Sequence, residues 1–151
     1  MKYTVTIDVE LPRERVIELF DSSENLYKWQ RGLQRFETIE GERGQPGSKS
    51  EMVYQMGKRR LELLETITRR ELPDRFDATY DAKGVHNVCE NRFIEAGPDK
   101  TRWEADQEFQ MTGFMKVMGW LMPGAFKKQS LKYMQDFKAF AEDGVDVRDD
   151  A

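Results

Sequence analysis

Alternation of apolar and polar side chains across residues 33–111 is the feature that narrows the fold most. A period of two is typical of β-strands that bury one face and expose the other. Clusters of Gly, Pro, Asn and Asp interrupt the alternation, as turns between strands do. The pattern predicts six consecutive antiparallel strands, at 33–40, 48–57, 60–71, 75–82, 85–95 and 101–111.

The segments on either side of this stretch predict one more strand and three helices. Residues 3–11 alternate like an edge strand, and Pro12 suits the first turn of a short helix. Asp21 or Ser22 is a candidate cap for a second short helix. Near the C-terminus, apolar spacings of three and four predict one long helix with a buried stripe at Phe126, Ser130, Tyr133, Phe137 and Phe140.

The turns also predict which side chains share the covered face of the sheet, because register decides the face. Two-residue turns at Lys58-Arg59, Pro73-Asp74 and Lys83-Gly84, with a loop at 96–100, give one consistent face. In this register Met56 lies opposite Leu61, Ile67 opposite Tyr80, Cys89 opposite Gln107, and Asn87 opposite Phe109. The long helix is the only predicted element large enough to cover that face.

Composition excludes several classes of site. One Cys and one His in 151 residues leave too few ligands for a zinc finger, an iron–sulfur cluster or a disulfide. A formal net charge of −4 argues against a dedicated nucleic-acid binder. The sequence predicts a single domain at 1–142, a disordered acidic tail at 143–151, a cytoplasmic location, and no stable membrane insertion.

The order strand, two short helices, six strands and long helix resembles the START-like (SRPBCC, polyketide cyclase/dehydrase) superfamily. The resemblance rests on the opening strand at residues 5–7 with Pro12, on the short-helix segment at residues 21–29 and on the long helix at residues 126–142. It also rests on two turn segments, Pro46-Gly47-Ser48 and residues 97–103. It implies an α+β helix-grip fold, a curved seven-stranded antiparallel sheet around the C-terminal helix, with an apolar cavity between them. Superfamily members include lipid and sterol carriers, aromatase/cyclases and chaperone-activating domains, and they share no universal catalytic motif.

Polar groups on the predicted inner face point to a ligand pocket, because buried amides and charges need partners. Glu65 is the best candidate for a general acid or base, with Tyr80 as a proton donor, whereas an internal hydrogen-bonded pair without turnover is the simpler reading. Arg69 also falls on this face, His86 on the outer face, and Cys89 inside as a small hydrophobe. Neither a cofactor nor a metal site is predicted. The predicted ligand-binding residues are Tyr54, Met56, Glu65, Tyr80, Asn87, Asn91, Trp103, Gln107, Phe109, Met134 and Phe137.

These features favour binding of a small hydrophobic molecule, aromatic or lipid-like, between the sheet and the C-terminal helix. Two alternatives stay open: a cyclase, aromatase or dehydratase using the same cavity without a metal, and a chaperone-activator-like interaction module. The apolar segment at 114–123 is either a mobile lid or an interface, so homodimerisation also stays open.

Overall fold

The computed structural model describes residues 1–150. Within that range the predicted seven strands and three helices follow one another in the predicted order, and a fourth helix covers most of the segment 114–123, for which a lid or an interface was predicted. The strands are β1 Lys2–Val9, β2 Leu33–Glu40, β3 Lys49–Met56, β4 Arg59–Glu71, β5 Arg75–Ala82, β6 Val85–Gly97 and β7 Lys100–Met111. The helices are α1 Arg13–Phe20, α2 Ser23–Trp29, α3 Gly113–Leu121 and α4 Pro123–Asp143.

All seven strands form one antiparallel sheet in the order β1-β7-β6-β5-β4-β3-β2. The chain leaves edge strand β1 and returns at the opposite edge, β2, through α1 and α2. Ser22 caps α2, because its Oγ accepts a hydrogen bond from the backbone N–H of Asn25 at 3.2 Å. Helix α4 lies on one face of the sheet, closest to β1. The predicted α+β architecture, with a curved sheet gripping a C-terminal helix, is confirmed.

The predicted register holds for β5, β6 and β7 but is wrong for the β3–β4 hairpin. Met56 pairs with Arg59 rather than Leu61, so the turn is Gly57-Lys58. Gly57 has a φ of 63°, a left-handed conformation that glycine adopts without steric cost at the first position of a hairpin turn. Because the shift is two residues, every side chain of β4 keeps its predicted face here.

A β-bulge changes the pairing of β4 with β5. The β4–β5 turn has three residues, Leu72-Pro73-Asp74, rather than two, which shifts the pairing by one residue, and the bulge between Ile67 and Arg69 shifts it by one more. Ile67 therefore lies opposite Ala78 rather than Tyr80. Glu65 lies opposite Tyr80 instead. After the bulge, the odd-numbered residues of β4 lie on the outer face of the sheet instead of the inner face. Arg69 is accordingly solvent-exposed and is paired with Glu71. The placement of Arg69 on the inner face is therefore wrong.

An aromatic cluster fills the half of the sheet–helix interface nearest α1. The ring of Phe20 lies 4.9 Å from that of Phe93, and Phe137 of α4 lies 5.0 Å from Trp29 and 5.4 Å from Trp103. Edge-to-face contacts at these centroid distances add to the burial of apolar area. This end of the molecule is a closed core, with Phe137 fully buried.

Polar contacts hold α4 along β1 and α2. The hydroxyl of Tyr3 donates to the carbonyl of Phe126 at 2.9 Å, and Lys138 Nζ donates to the carbonyl of Asp8 at 2.6 Å. Asp136, a buried carboxylate on α4, pairs with Arg31 at 3.2 Å, so α4 is also tied to the segment after α2.

Residues 143–150 follow α4 and contact the body of the structure. Asp143 is the last residue of α4, and Gly144 ends the helix with a φ of 68°. Val147 begins a 3₁₀ turn, Val147–Asp150, and is buried beside α2. Burial of the apolar Val147 side chain holds this otherwise acidic segment against the body. Ala151 lies outside the described residues.

Candidate functional site

The inner face of the sheet is only partly covered at the end nearest α3. Its side chains there keep some accessible surface, in contrast to the closed aromatic core. Opposite them, Tyr133 of α4 is also partly exposed. We call this region the recess and define its sheet residues as Leu61, Leu63, Tyr80, Asn87, Gln107 and Phe109.

One row of side chains crosses four strands at the recess. Register places Glu65 of β4, Tyr80 of β5, Asn87 of β6 and Phe109 of β7 directly opposite one another in turn. Opposed side chains in neighbouring antiparallel strands lie within contact distance. The row therefore brings a carboxyl, a phenol, an amide and an aromatic ring onto one surface.

Glu65 and Tyr80 form a hydrogen-bonded pair. The Tyr80 hydroxyl donates to Glu65 Oε2 at 2.9 Å, and Glu65 is only 8% exposed. Burial raises the pKa of Glu65 above its ordinary value, while the bond from Tyr80 opposes that shift. Burial also raises the pKa of Tyr80 well above its ordinary value, with the neighbouring Glu65 carboxylate adding to the effect. The pair can hold a proton at the carboxyl and donate a hydrogen bond from the phenol to a bound oxygen.

A ladder of polar contacts runs from the recess into the core. Asn87 Nδ2 donates to Gln107 Oε1 at 2.9 Å, and Gln107 Nε2 contacts Cys89 Sγ at 3.2 Å. Farther in, the Asn91 Oδ1 accepts a bond from Trp103 Nε1 at 2.9 Å. Asn91 and Trp103 are buried, whereas Asn87 and Gln107 keep accessible surface. Only the outer half of the ladder is placed to meet a ligand.

The predicted ligand-binding residues thus fall into four groups. Met56 is 38% exposed beside the β3–β4 turn and lies at the rim. Tyr54 is buried, and its hydroxyl donates to Gln30 Oε1 at 2.9 Å. The closed core contains Asn91, Trp103, Met134 and Phe137. The recess row contains Glu65, Tyr80, Asn87 and Phe109, and Gln107 lies beside it in the recess.

Two side chains that were not singled out as ligand contacts complete the recess. Tyr3 of β1 stacks on Phe109 with ring centroids 6.0 Å apart, and Phe126 of α4 contacts the same ring at 5.0 Å. Tyr133 lies over Tyr54 with centroids 6.4 Å apart. Tyr3 lies on the predicted apolar face of β1 and Tyr133 on the predicted apolar stripe of α4. That spacing is the sequence signal that places both side chains at the sheet–helix interface.

Two pockets of residues 1–150 lie outside the interface between the sheet and α4. One of those pockets lies between the start of α1 and the β6–β7 turn, and the other lies between α2 and β2. The aromatic cluster accounts for this, because it occupies the half of the interface where the implied cavity would extend. The recess is what the packing leaves accessible.

The remaining candidate groups lie where the sequence predicts. His86 is on the outer face, with Nδ1 at 2.5 Å from Asp81 Oδ1. Burial raises the pKa of the Cys89 thiol to about 12, so the thiol is protonated at neutral pH. Glu104 and Asp106 face Arg92 on the outer surface at 3.5 and 2.5 Å. Residues 1–150 contain no group of three or more His, Cys, Asp and Glu side chains placed to hold a metal ion.

Comparison with known proteins identifies the fold but not the activity. No family model matches the chain, and no curated protein matches it. Among solved structures, a conserved protein from Geobacillus kaustophilus is 15% identical with a TM-score of 0.80, over 93% of this chain and 95% of that one. The Zhui aromatase/cyclase from Streptomyces sp. R1128 is 11% identical with a TM-score of 0.76, over 93% of both chains.

A third structure with the same architecture is Ara h 8.0201, at 14% identity and a TM-score of 0.73, covering 93% of this chain and 97% of that one. These likenesses span nearly the whole of each chain and are likenesses of fold. The chain has the helix-grip fold.

Proposed function

We propose that the protein binds a small, mostly apolar molecule carrying one hydrogen-bonding group, with its polar end at the Glu65–Tyr80 pair. The observation that carries the proposal is the row from Glu65 to Phe109, in which a carboxyl, a phenol and an amide share one surface with aromatic and aliphatic side chains. Such a combination, mainly apolar with a few placed polar groups, is typical of small-molecule sites.

The chemistry of the row favours a ligand with an oxygen acceptor. The Tyr80 hydroxyl donates to Glu65, and a proton on Glu65 would let the carboxyl donate to the Tyr80 oxygen instead, which frees the hydroxyl to donate to a ligand. The Asn87 amide nitrogen donates to Gln107 and to the Glu108 carbonyl, so a ligand oxygen would replace one of these acceptors. The aromatic rings of Phe109 and Tyr133 stand nearby to cover the apolar part. A phenol, a ketone or a quinone of one or two rings has this combination of groups.

The aromatase/cyclase among the structural relatives is consistent with a site on this face of the sheet, because the two chains share the fold over nearly their whole length. Fold alone does not carry a reaction from one protein to another. The proposal therefore rests on the recess of this chain, and it concerns ligand binding rather than a reaction.

A binding map tests the proposal directly. We expect titration with N-phenyl-1-naphthylamine, a neutral apolar probe, to shift the backbone amide NMR signals of Tyr80, Asn87, Gln107 and Phe109 most strongly. The outer-face signals of Arg92 and Ile94 serve as the internal control. Shifts confined to α3, or spread evenly over the chain, would contradict a site in the recess.

A further inference from the structure

Helix α3 exposes an apolar face to solvent. Phe114 is 73% exposed and Trp120 is 81% exposed, and Val117, Leu121 and Met122 are also exposed. Residues 114, 117 and 121 follow the three- and four-residue spacing of one helix face. Contiguous exposed apolar patches of this kind mark interaction sites on soluble proteins.

The packing of α3 directs this face outward. Gly119 lies against the Met111 side chain and leaves no room there for a Cβ. At the start of the helix, the Thr112 N–H donates to the carbonyl of Gly84 at 2.9 Å, and Met115 packs beside Gly84. The helix is therefore held to β7 and to the β5–β6 turn by one side, and its apolar residues are on the other.

The chain around α3 is basic although the protein is acidic. Residues 109–135 contain no Asp or Glu and have four Lys, at 116, 127, 128 and 132. Since the whole chain has a formal charge of −4, the remaining residues together have −8. Lys116, Lys127 and Lys128 are exposed and make no ion pair with any residue of 1–150.

Other cations lie at the same end of the sheet. Met111, the end of β7, pairs with Val85 beside the β5–β6 turn, which contains Lys83. Since Leu64 pairs with Asp81, the β3–β4 turn with Lys58 also lies at this end. Two of the nearby acids face cations, because Glu62 contacts Arg60 and Glu108 lies near Lys2, and Asp81 contacts the imidazole of His86.

We propose that α3 and the lysines beside it dock the protein on an anionic membrane surface, with the apolar face of α3 lying in the headgroup region. An amphipathic helix with exposed Trp and Phe flanked by Lys is suited to that interface. Each lysine near an anionic bilayer adds to the attraction. None of the helices in residues 1–150 has the length and hydropathy of a membrane span, so the contact is peripheral.

The charge distribution favours a membrane over a second copy of this chain. A two-fold dimer would bring Lys116, Lys127 and Lys128 of one copy toward the same lysines of the other, and like charges oppose such contact.

Trp120 provides an intrinsic reporter, because Trp29 and Trp103 are buried. We expect the Trp emission of the full-length protein to shift to shorter wavelength with vesicles of mixed phosphatidylglycerol and phosphatidylcholine. Flotation should recover at least about tenfold more protein with these vesicles than with pure phosphatidylcholine, and added salt should reduce the difference. No emission shift, or equal recovery with both vesicles, would overturn the proposal.

Matched variants distinguish docking through α3 from non-specific binding to vesicles. Lys127→Glu with Lys128→Glu should reduce flotation at least about tenfold. Arg15→Glu with Arg43→Glu makes the same change in net charge away from α3 and should leave flotation unchanged. Trp120→Ala should weaken flotation, whereas Ile94→Ala on the outer face should not.

Two outcomes would overturn the assignment of this surface. One is an equal loss of flotation in the Arg15 and Arg43 control. The other is a dimer, measured by sedimentation, that forms without vesicles, is broken by Trp120→Ala, and prevents flotation. All the altered side chains are exposed, so we expect each variant to keep the fold. Thermal unfolding of each variant checks this.

Discussion

Burial, opposed by the hydrogen bond from Tyr80, determines the protonation state of the Glu65 carboxyl at the β4 end of the recess row. Glu65 has no cation as a partner, and the phenol of Tyr80 is its neighbour at 2.9 Å. Burial without a compensating charge favours the protonated carboxyl. The ionised form therefore exists in the folded protein at a cost in stability.

This cost predicts a pH dependence of unfolding. Because the folded state raises the pKa of Glu65 from 4.5, the stability due to its proton is fully present below that value and is lost as pH rises through the raised pKa. We expect Glu65→Gln to remove this loss. Relative to wild type, the variant should gain stability as pH rises above about 4.5, then level off.

Urea unfolding of wild type and Glu65→Gln at a series of pH values measures that difference. Glu62→Gln on the exposed face of the same strand, paired with Arg60, is the matched control and should show no such gain. A difference between wild type and Glu65→Gln that stays constant with pH, or that changes in the opposite direction, would contradict the raised pKa.

At the scale of elements, turns and β-bulges decide which side chains lie opposite one another in the sheet. The sequence predicts the turns better than it predicts the bulges. The β5–β6 and β6–β7 registers follow from Lys83-Gly84 and the loop before β7, so Asn87 and Gln107 are placed correctly. The bulge after Ile67 has no turn residues to mark it. Together with the three-residue β4–β5 turn, it moved Arg69 to solvent and brought Glu65 opposite Tyr80, and both changes were missed.

The sequence also predicts poorly how deeply a side chain of the inner face is buried. Period-two alternation assigns a face but not the layer packed over it, so Trp103 and Phe137 were grouped with the ligand residues. In the structure α1 and α2 bring Phe20 and Trp29 against them. Contacts between elements far apart in sequence decided that these rings are core residues.

Trp103→Ala tests this packing. We expect the free energy of unfolding to fall by about 3–5 kcal/mol, because the variant leaves a cavity and removes the donor to Asn91. Phe114→Ala on the exposed face of α3 should change stability by less than about 0.5 kcal/mol. Denaturant titration measures both, and a loss below about 1 kcal/mol for Trp103→Ala would show that the core assignment is wrong.

At the scale of the whole molecule, the two ends of the sheet–helix interface have different properties. The end near α1 is closed by aromatic rings, and the end near α3 has the recess, exposed apolar side chains and a basic surface. A ligand site and a membrane-docking helix at the same end would allow a hydrophobic molecule to pass between bilayer and protein over a short path. The two proposals nevertheless rest on different residues and are tested separately.

Filling the recess tests the central claim most directly. Leu63 is a partly exposed recess residue, so Leu63→Trp adds volume where the ligand is proposed to lie, and Ile94→Trp makes the same kind of change on the outer face. In fluorescence titrations with N-phenyl-1-naphthylamine, Leu63→Trp should weaken binding at least about tenfold, with Ile94→Trp within about twofold of wild type. Equal affinity of all three folded proteins would contradict a ligand site in the recess.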